Sequence, residues 1–105
     1  MQTEQNFFVY IMASKPRGVM YTGVTSNLIQ RAFQHREHLL DGFTKRYWVD
    51  RLVYYEPHAT AEVAILQEKR IKRWRRDWKI ALIEANNPTW RDLYDDLLRD
   101  AGIDA

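Results

Sequence analysis

The sequence predicts an α+β domain with a leading β-hairpin, one further strand and three to four flanking helices. Three observations carry this prediction. Two short runs of strand formers near the start are separated by a Pro/Gly segment. From Asn27 onward, cap-like residues precede stretches with helical apolar spacing. One β-branched and aromatic run, Arg51 to Tyr55, interrupts those stretches.

In chain order, Phe7 to Ala13 is the first strand, Ser14-Lys15-Pro16-Arg17-Gly18 a turn, and Val19 to Thr25 the second strand. Alternation puts Phe8, Tyr10 and Met12 on one face, and Val19, Tyr21 and Gly23 on one face of the partner. A glycine inside a strand, as at Gly23, marks a bulge or a close approach by another group. Asn27 with Gln30 resembles a capping box, and a helix is expected from there to about Leu40, stopped by Asp41-Gly42. Phe43 to Trp48 reads as a basic-aromatic loop. Arg51 to Tyr55 is the third strand, ended by Pro57. Thr60 caps a helix from Ala61 to about Arg75, and Asp77 starts another reaching Ala85, which Asn86-Asn87-Pro88 breaks. Thr89 with Asp92 is expected to cap a last helix from Trp90 to about Arg99. The chain reads as one domain with its core at about residues 7–94 and a frayed tail at about 100–105.

At 105 residues and 46% hydrophobic, the composition is that of an ordinary globular domain, not a disordered or collagen-like chain. The absence of cysteine excludes disulfide scaffolds, iron–sulfur clusters, zinc fingers and thiol nucleophiles. Three scattered histidines are too few for a transition-metal cage. No apolar run approaches the roughly 20 residues of a membrane helix. Met1 to Asn6 lacks the basic start and small-residue cleavage site of a signal peptide, so no membrane association and a cytoplasmic location are expected.

The net charge of +2 is unevenly spread. Met1 to Ile83 carries 14 Lys and Arg against 8 Asp and Glu, whereas Glu84 to Ala105 carries 2 against 6. Lys69, Arg70, Lys72, Arg73, Arg75, Arg76 and Lys79 crowd into one short run with Asp77 as its only acid. A stripe of that density attracts polyanions through phosphate contacts and counterion release. A solvated helix face is the alternative reading.

Two predicted helices place polar residues where apolar ones belong. Leu28, Ala32 and Leu39 share a line at helical spacing; His35 falls within that arc, and Arg31, one turn earlier, projects beside it. Ala61, Ala64, Ile65 and Ile71 define an apolar face with Glu68 in its middle. A carboxylate there is paired, protonated or metal-bound, because burying it alone costs several kcal/mol. Each residue also has a purely architectural reading: a hydrogen-bonded core histidine, a Glu68–Arg31 ion pair, ordinary hairpin tyrosines. Together, two tyrosines, an Arg/His pair and an inward acid beside a basic surface are the parts needed to hold a phosphate, neutralise it and attack it with water.

Val9-Tyr10-Ile11 followed by Tyr21-Thr22-Gly23, then Arg31-x-x-x-His35 and Glu68, resembles the signature of the GIY-YIG nuclease superfamily. The first motif reads Phe-Val-Tyr instead of Gly-Ile-Tyr and the second Tyr-Thr-Gly instead of Tyr-Ile-Gly, with both tyrosines and the glycine kept. The resemblance runs from about Phe7 to Tyr94. The stretches from Trp74 to Lys79 and from Asn87 to Tyr94 look like the short single-domain branch, related to the N-terminal nuclease domain of a bacterial excision-repair incision subunit.

The resemblance implies a three-stranded antiparallel sheet flanked by helices, and metal-dependent cleavage of DNA, RNA not being excluded. Glu68 is then the ligand of one divalent cation, Mg²⁺ or Mn²⁺, since one carboxylate plus phosphate oxygens and waters suits Mg²⁺. Arg31 is expected to hold a phosphate oxygen. Tyr10 is expected to take or relay the proton of the attacking water, His35 to support it, and Tyr21 to orient water or phosphate. A basic role for Tyr10 calls for a cationic environment that lowers its pKa. Gly23 is expected to leave room for the nucleic-acid backbone, and Asn87, with Asn86 in reserve, to be the family's active-site asparagine. The stripe from Lys69 to Lys79, with Lys45 and Arg46, is expected to grip phosphates with few groups left to read base edges, so cleavage is expected to be structure-selective or directed by a protein partner. The rival readings are an inactive nucleic-acid-binding module and a protein-interaction domain. Oligomeric state is not legible in the sequence.

Overall fold

A computed structural model describes residues 6–102. The residues 103–105 of the expected frayed tail, and most of the N-terminal segment read for a leader, lie outside the described residues. The elements run β1 (Phe7–Ala13), β2 (Met20–Thr25), α1 (Leu28–Arg36), α2 (Phe43–Arg46), β3 (Arg51–His58), α3 (Ala61–Lys72), α4 (Arg76–Asn86) and α5 (Tyr94–Asp100). The architecture is the expected α+β, a three-stranded antiparallel sheet in the order β2-β1-β3. Among the described residues no helix is long and apolar enough to cross a membrane.

β1 is the central strand, and Val9 to Ala13 are buried on both faces. Its alternation divides the core. Val9, Ile11 and Ala13 pack with Val53, with Ala64 and Ile71 of α3, with Ile83 of α4 and with Trp90. Tyr10 and Met12 pack with Leu28 and Ala32 of α1, and with Val49, Leu52 and Leu97. The six-residue hairpin connection closes through Ser14, whose N–H donates to the Val19 carbonyl at 2.9 Å and whose hydroxyl accepts from the Val19 N–H at 2.9 Å.

Several boundaries differ from the expectation, each for a local reason. α1 stops at Arg36, four residues early, because His38 takes the left-handed backbone at φ +57. Leu39 therefore leaves the apolar line of α1 and is 61% exposed. The expected loop contains a short helix, α2, with Gly42 at φ +102 ahead of it. β3 continues through Pro57, which a sheet edge tolerates because its missing N–H is not needed there. β3 also carries an extra residue where Ile11 faces Tyr54 and Met12 faces Leu52, so Val53 bulges. α3 ends at Lys72 and α4 begins at Arg76. The last helix begins at Tyr94, not Trp90. Trp90 is drawn out of it at φ +59, buries its ring in the α3–α4 layer and donates its indole N–H to Glu84 at 2.7 Å. Asp92 accepts from the N–H groups of Tyr94 at 3.0 Å and Leu52 at 3.3 Å, tying the start of α5 to β3. The expected caps of α1 and α3 are present: Asn27 accepts from the Gln30 N–H, and Thr60 from the Val63 N–H.

Candidate active site

Tyr10 lies on β1 directly opposite Gly23 of β2. A Cβ at position 23 would fall 2.5 Å from the Tyr10 hydroxyl oxygen and 2.6 Å from its ring carbon Cζ. The space left by the missing side chain is therefore filled by the phenol. The sequence assigned that room to nucleic-acid backbone; the structure gives it to Tyr10.

The Asn27 cap starts α1 so that Leu28, Ala32 and His35 face the sheet. His35 is buried, with its Nε2 3.0 Å from the Tyr10 hydroxyl. Tyr21 completes a triangle of rings: centroids lie 6.3 Å apart for Tyr10–Tyr21 and 5.6 Å for each tyrosine with His35. Arg31, one turn before His35, is half-buried. The remaining ring nitrogen of His35, Nδ1, is buried without a hydrogen-bond partner.

Burial pushes the Tyr10 phenol up to about 12; Tyr21 and Glu68 add to the rise, and Arg31 opposes it. Burial, and then the Arg31 charge, hold His35 down at about 4. Both rings are therefore neutral at pH 7, and the lowering of the Tyr10 pKa expected from a cationic surrounding is absent in the free protein. Which atom carries the hydrogen between them depends on the imidazole tautomer.

Glu68 comes from α3, between the buried Ala64 and Ile71 that pack on the other layer of the core. It is itself buried, and its charge bears on the Tyr10 phenol. Its partner is Lys72, one turn on, at 2.5 Å, not Arg31. The i,i+4 spacing puts the two side chains on one face of the helix. The lysine side chain is half exposed, so this contact is open to solvent and exchangeable. Among the described residues no group of three or more His, Cys, Asp or Glu gathers into a metal cage. A single inward carboxylate with one displaceable partner fits a hard cation that keeps most of its waters, as Mg²⁺ does. It does not fit zinc.

Asn87 is not brought to this cluster. Its amide nitrogen donates to the Val53 carbonyl at 3.1 Å and the Arg91 carbonyl at 2.9 Å, and its oxygen accepts from the Arg91 N–H at 3.2 Å. Val53 lies in β3, the opposite sheet edge from Gly23. Asn87 is thus a clamp for the chain after α4, and its neighbour Asn86 is exposed.

The basic stripe spans the end of α3 and the start of α4, and its members differ. The Arg76 guanidinium donates to the carbonyls of Arg17 and Gly18, closing the β1–β2 turn. Arg75 pairs with Asp77, Arg70 donates to Gln67, and Lys79 donates to the Lys72 carbonyl. Among the described residues Lys69 and Arg73 make no side-chain hydrogen bond or ion pair. Lys45 and Arg46 lie on α2, Lys45 with Asp41 at 3.6 Å and Arg46 over the Tyr47 ring.

Residues 6–81 match the family described as the GIY-YIG catalytic domain. A UPF0213 protein from Bacillus halodurans, solved in solution by NMR, is similar at 24% identity over 86% of this chain and 95% of that one, with a TM-score of 0.52. That likeness concerns the fold. No curated protein matches the chain.

Proposed function

From the premise that this chain belongs to the GIY-YIG catalytic-domain family, a family of nucleases, we propose that it is a divalent-metal-dependent endonuclease that hydrolyses phosphodiester bonds in DNA with little sequence preference. The observation that carries the reading is the meeting of Tyr10, Tyr21 and His35 in one ring triangle, with Arg31 one turn before His35 on α1 and the buried carboxylate of Glu68 on α3.

Arg31 holds a non-bridging phosphate oxygen, for which a charged planar fork is suited. Tyr21 orients the attacking water or the phosphate by hydrogen bonding. Because the Tyr10 phenol is protonated at neutral pH, it accepts the water's proton only while its own passes on. Neutral His35, 3.0 Å away, is the acceptor in reach. The imidazolium formed is disfavoured by Arg31, and a phosphate bound at Arg31 offsets that repulsion. Glu68 would hold the cation, Mg²⁺ or Mn²⁺, once Lys72 swings away. When bound, such a cation supplies charge neutralisation at the scissile phosphate and the leaving oxygen. Lys69 and Arg73, with Arg70, Lys45 and Arg46, grip flanking phosphates, and selection among substrates falls to DNA shape or to a protein partner.

The test incubates purified protein with supercoiled, branched and flapped DNA, in Mn²⁺ or in EDTA, beside Glu68→Ala. Cleavage in Mn²⁺ that disappears in EDTA and in the variant is expected. Cleavage that survives in either control overturns the metal assignment. Binding without cleavage of any substrate points instead to an inactive binding module on this fold.

A further inference from the structure

Resting on the nuclease reading, we propose that α2 and the residues just after it form a stacking platform for unpaired bases, so that the strand this site takes is single-stranded nucleic acid or the single-stranded arm of a junction. Within six positions three aromatic side chains face solvent: Phe43 is 48% exposed, Tyr47 44% and Trp48 62%. Lone exposed apolar residues are ordinary, but three large rings in one turn are not.

The turn is built to hold them outward. Its small residue, Thr44, is the one that is buried, and Val49 anchors the exit. The Val49 N–H donates back to the Thr44 carbonyl at 2.9 Å, Tyr47 to Phe43 at 3.0 Å and Arg46 to Gly42 at 2.9 Å. Trp48 is held at φ +55, a backbone region that costs a bulky residue about 1–3 kcal/mol, without gaining core burial for its ring. The His38 ring, nearly perpendicular to the indole with centroids 4.1 Å apart and itself bonded to Asp50 at 2.7 Å, sets the plane of that indole. Phe43 and Tyr47 lie 4.9 Å apart with their planes inclined.

The chemistry of the patch selects its occupant. It offers the rings of Phe43 and Trp48 and the uncovered face of Tyr47, with two cations on the same turn, Lys45 beside the exposed Asp41 and Arg46 over the other face of Tyr47. A duplex presents phosphates but hides its base faces, so the rings would contribute nothing to holding it. A single strand presents both, and each stacked base is worth about 1–3 kcal/mol on an aromatic platform of this kind. α2 is the next element after α1, the helix that carries Arg31 and His35, so the platform adjoins in the chain the helix that supplies the phosphate-holding arginine.

Binding is measured by fluorescence anisotropy in EDTA, where no cleavage is required, with labelled oligo-dT, oligo-rU and a blunt duplex of equal length. Wild type is expected to prefer the single strands. Phe43→Ala and Trp48→Ala are each expected to weaken single-strand binding at least about fivefold while leaving the duplex unchanged. The dT and rU arms decide between DNA and RNA. Tyr47→Ala serves as a third variant, and circular dichroism confirms that each variant is folded. The proposal is overturned if wild type prefers the duplex, if the folded variants bind the single strand like wild type, if both substrates weaken equally, or if the loss follows Trp78→Ala on α4 instead. Loss of single-strand binding in these variants, together with no Mn²⁺-dependent cleavage by wild type, keeps the platform and sinks the nuclease.

Discussion

Replacing Gly23 by alanine sets a methyl group against the Tyr10 phenol, and the buried ring has no open side into which to retreat. A stability loss of about 1–3 kcal/mol is expected, measured as a lower urea midpoint, together with loss of cleavage in the molecules that remain folded. His35 gives a pH signature. Its folded pKa of about 4 lies below the ordinary 6.5, so below pH 6.5 the unfolded chain takes up a proton that the folded one refuses. The stability it contributes is complete above pH 6.5 and is lost as the pH falls toward 4, by an amount on the order of 3 kcal/mol. Urea titrations at pH 7 and pH 4.5 are expected to show a smaller drop for His35→Gln than for wild type. At this scale part of the geometry of the candidate site was readable. Strand alternation exposed Tyr10 and Tyr21, and i,i+4 spacing paired Arg31 with His35. The relation of Gly23 to Tyr10 was not readable, because it is a cross-strand register, and register is set by the fold as a whole.

Between elements, the two residues that most changed meaning are Arg76 and Asn87. Arg76 was read as a phosphate contact and Asn87 as an active-site asparagine, and both fasten backbone. Arg76→Ala is expected to lower the melting temperature by loosening the β1–β2 turn, with little effect on the salt dependence of DNA binding. Asn87→Ala removes three hydrogen bonds from a buried site and is expected to cost about 2–4 kcal/mol, read by denaturation, while the folded protein keeps its cleavage rate. Helix starts at Asn27 and Thr60 were legible because a side-chain cap is a local interaction. The end of α1 and the start of α5 were not, since left-handed turns at His38 and Trp90 and the burial of one indole decide them, and these are tertiary demands.

For the molecule as a whole, charge acts through position more than through its sum. The net value of +2 predicts little, but Lys69 and Arg73 stand without partners of their own among the described residues. The logarithm of the DNA-binding constant is expected to fall linearly with the logarithm of salt concentration, and Lys69→Ala and Arg73→Ala are each expected to reduce that slope by about 1. A flat response in wild type would remove the phosphate-gripping role of the stripe. The fold class was legible from strand runs and caps alone, while the division of the core between two layers needed the sheet order. That order has an outcome for how the protein fails. Tyr10 sits in the middle strand, paired on both sides, with its ring fully buried, so the ring is released only when the packing around β1 opens. The Tyr10 ring should therefore keep its packed environment until the sheet itself opens, and its aromatic signals should be lost along the same curve on which the whole chain melts.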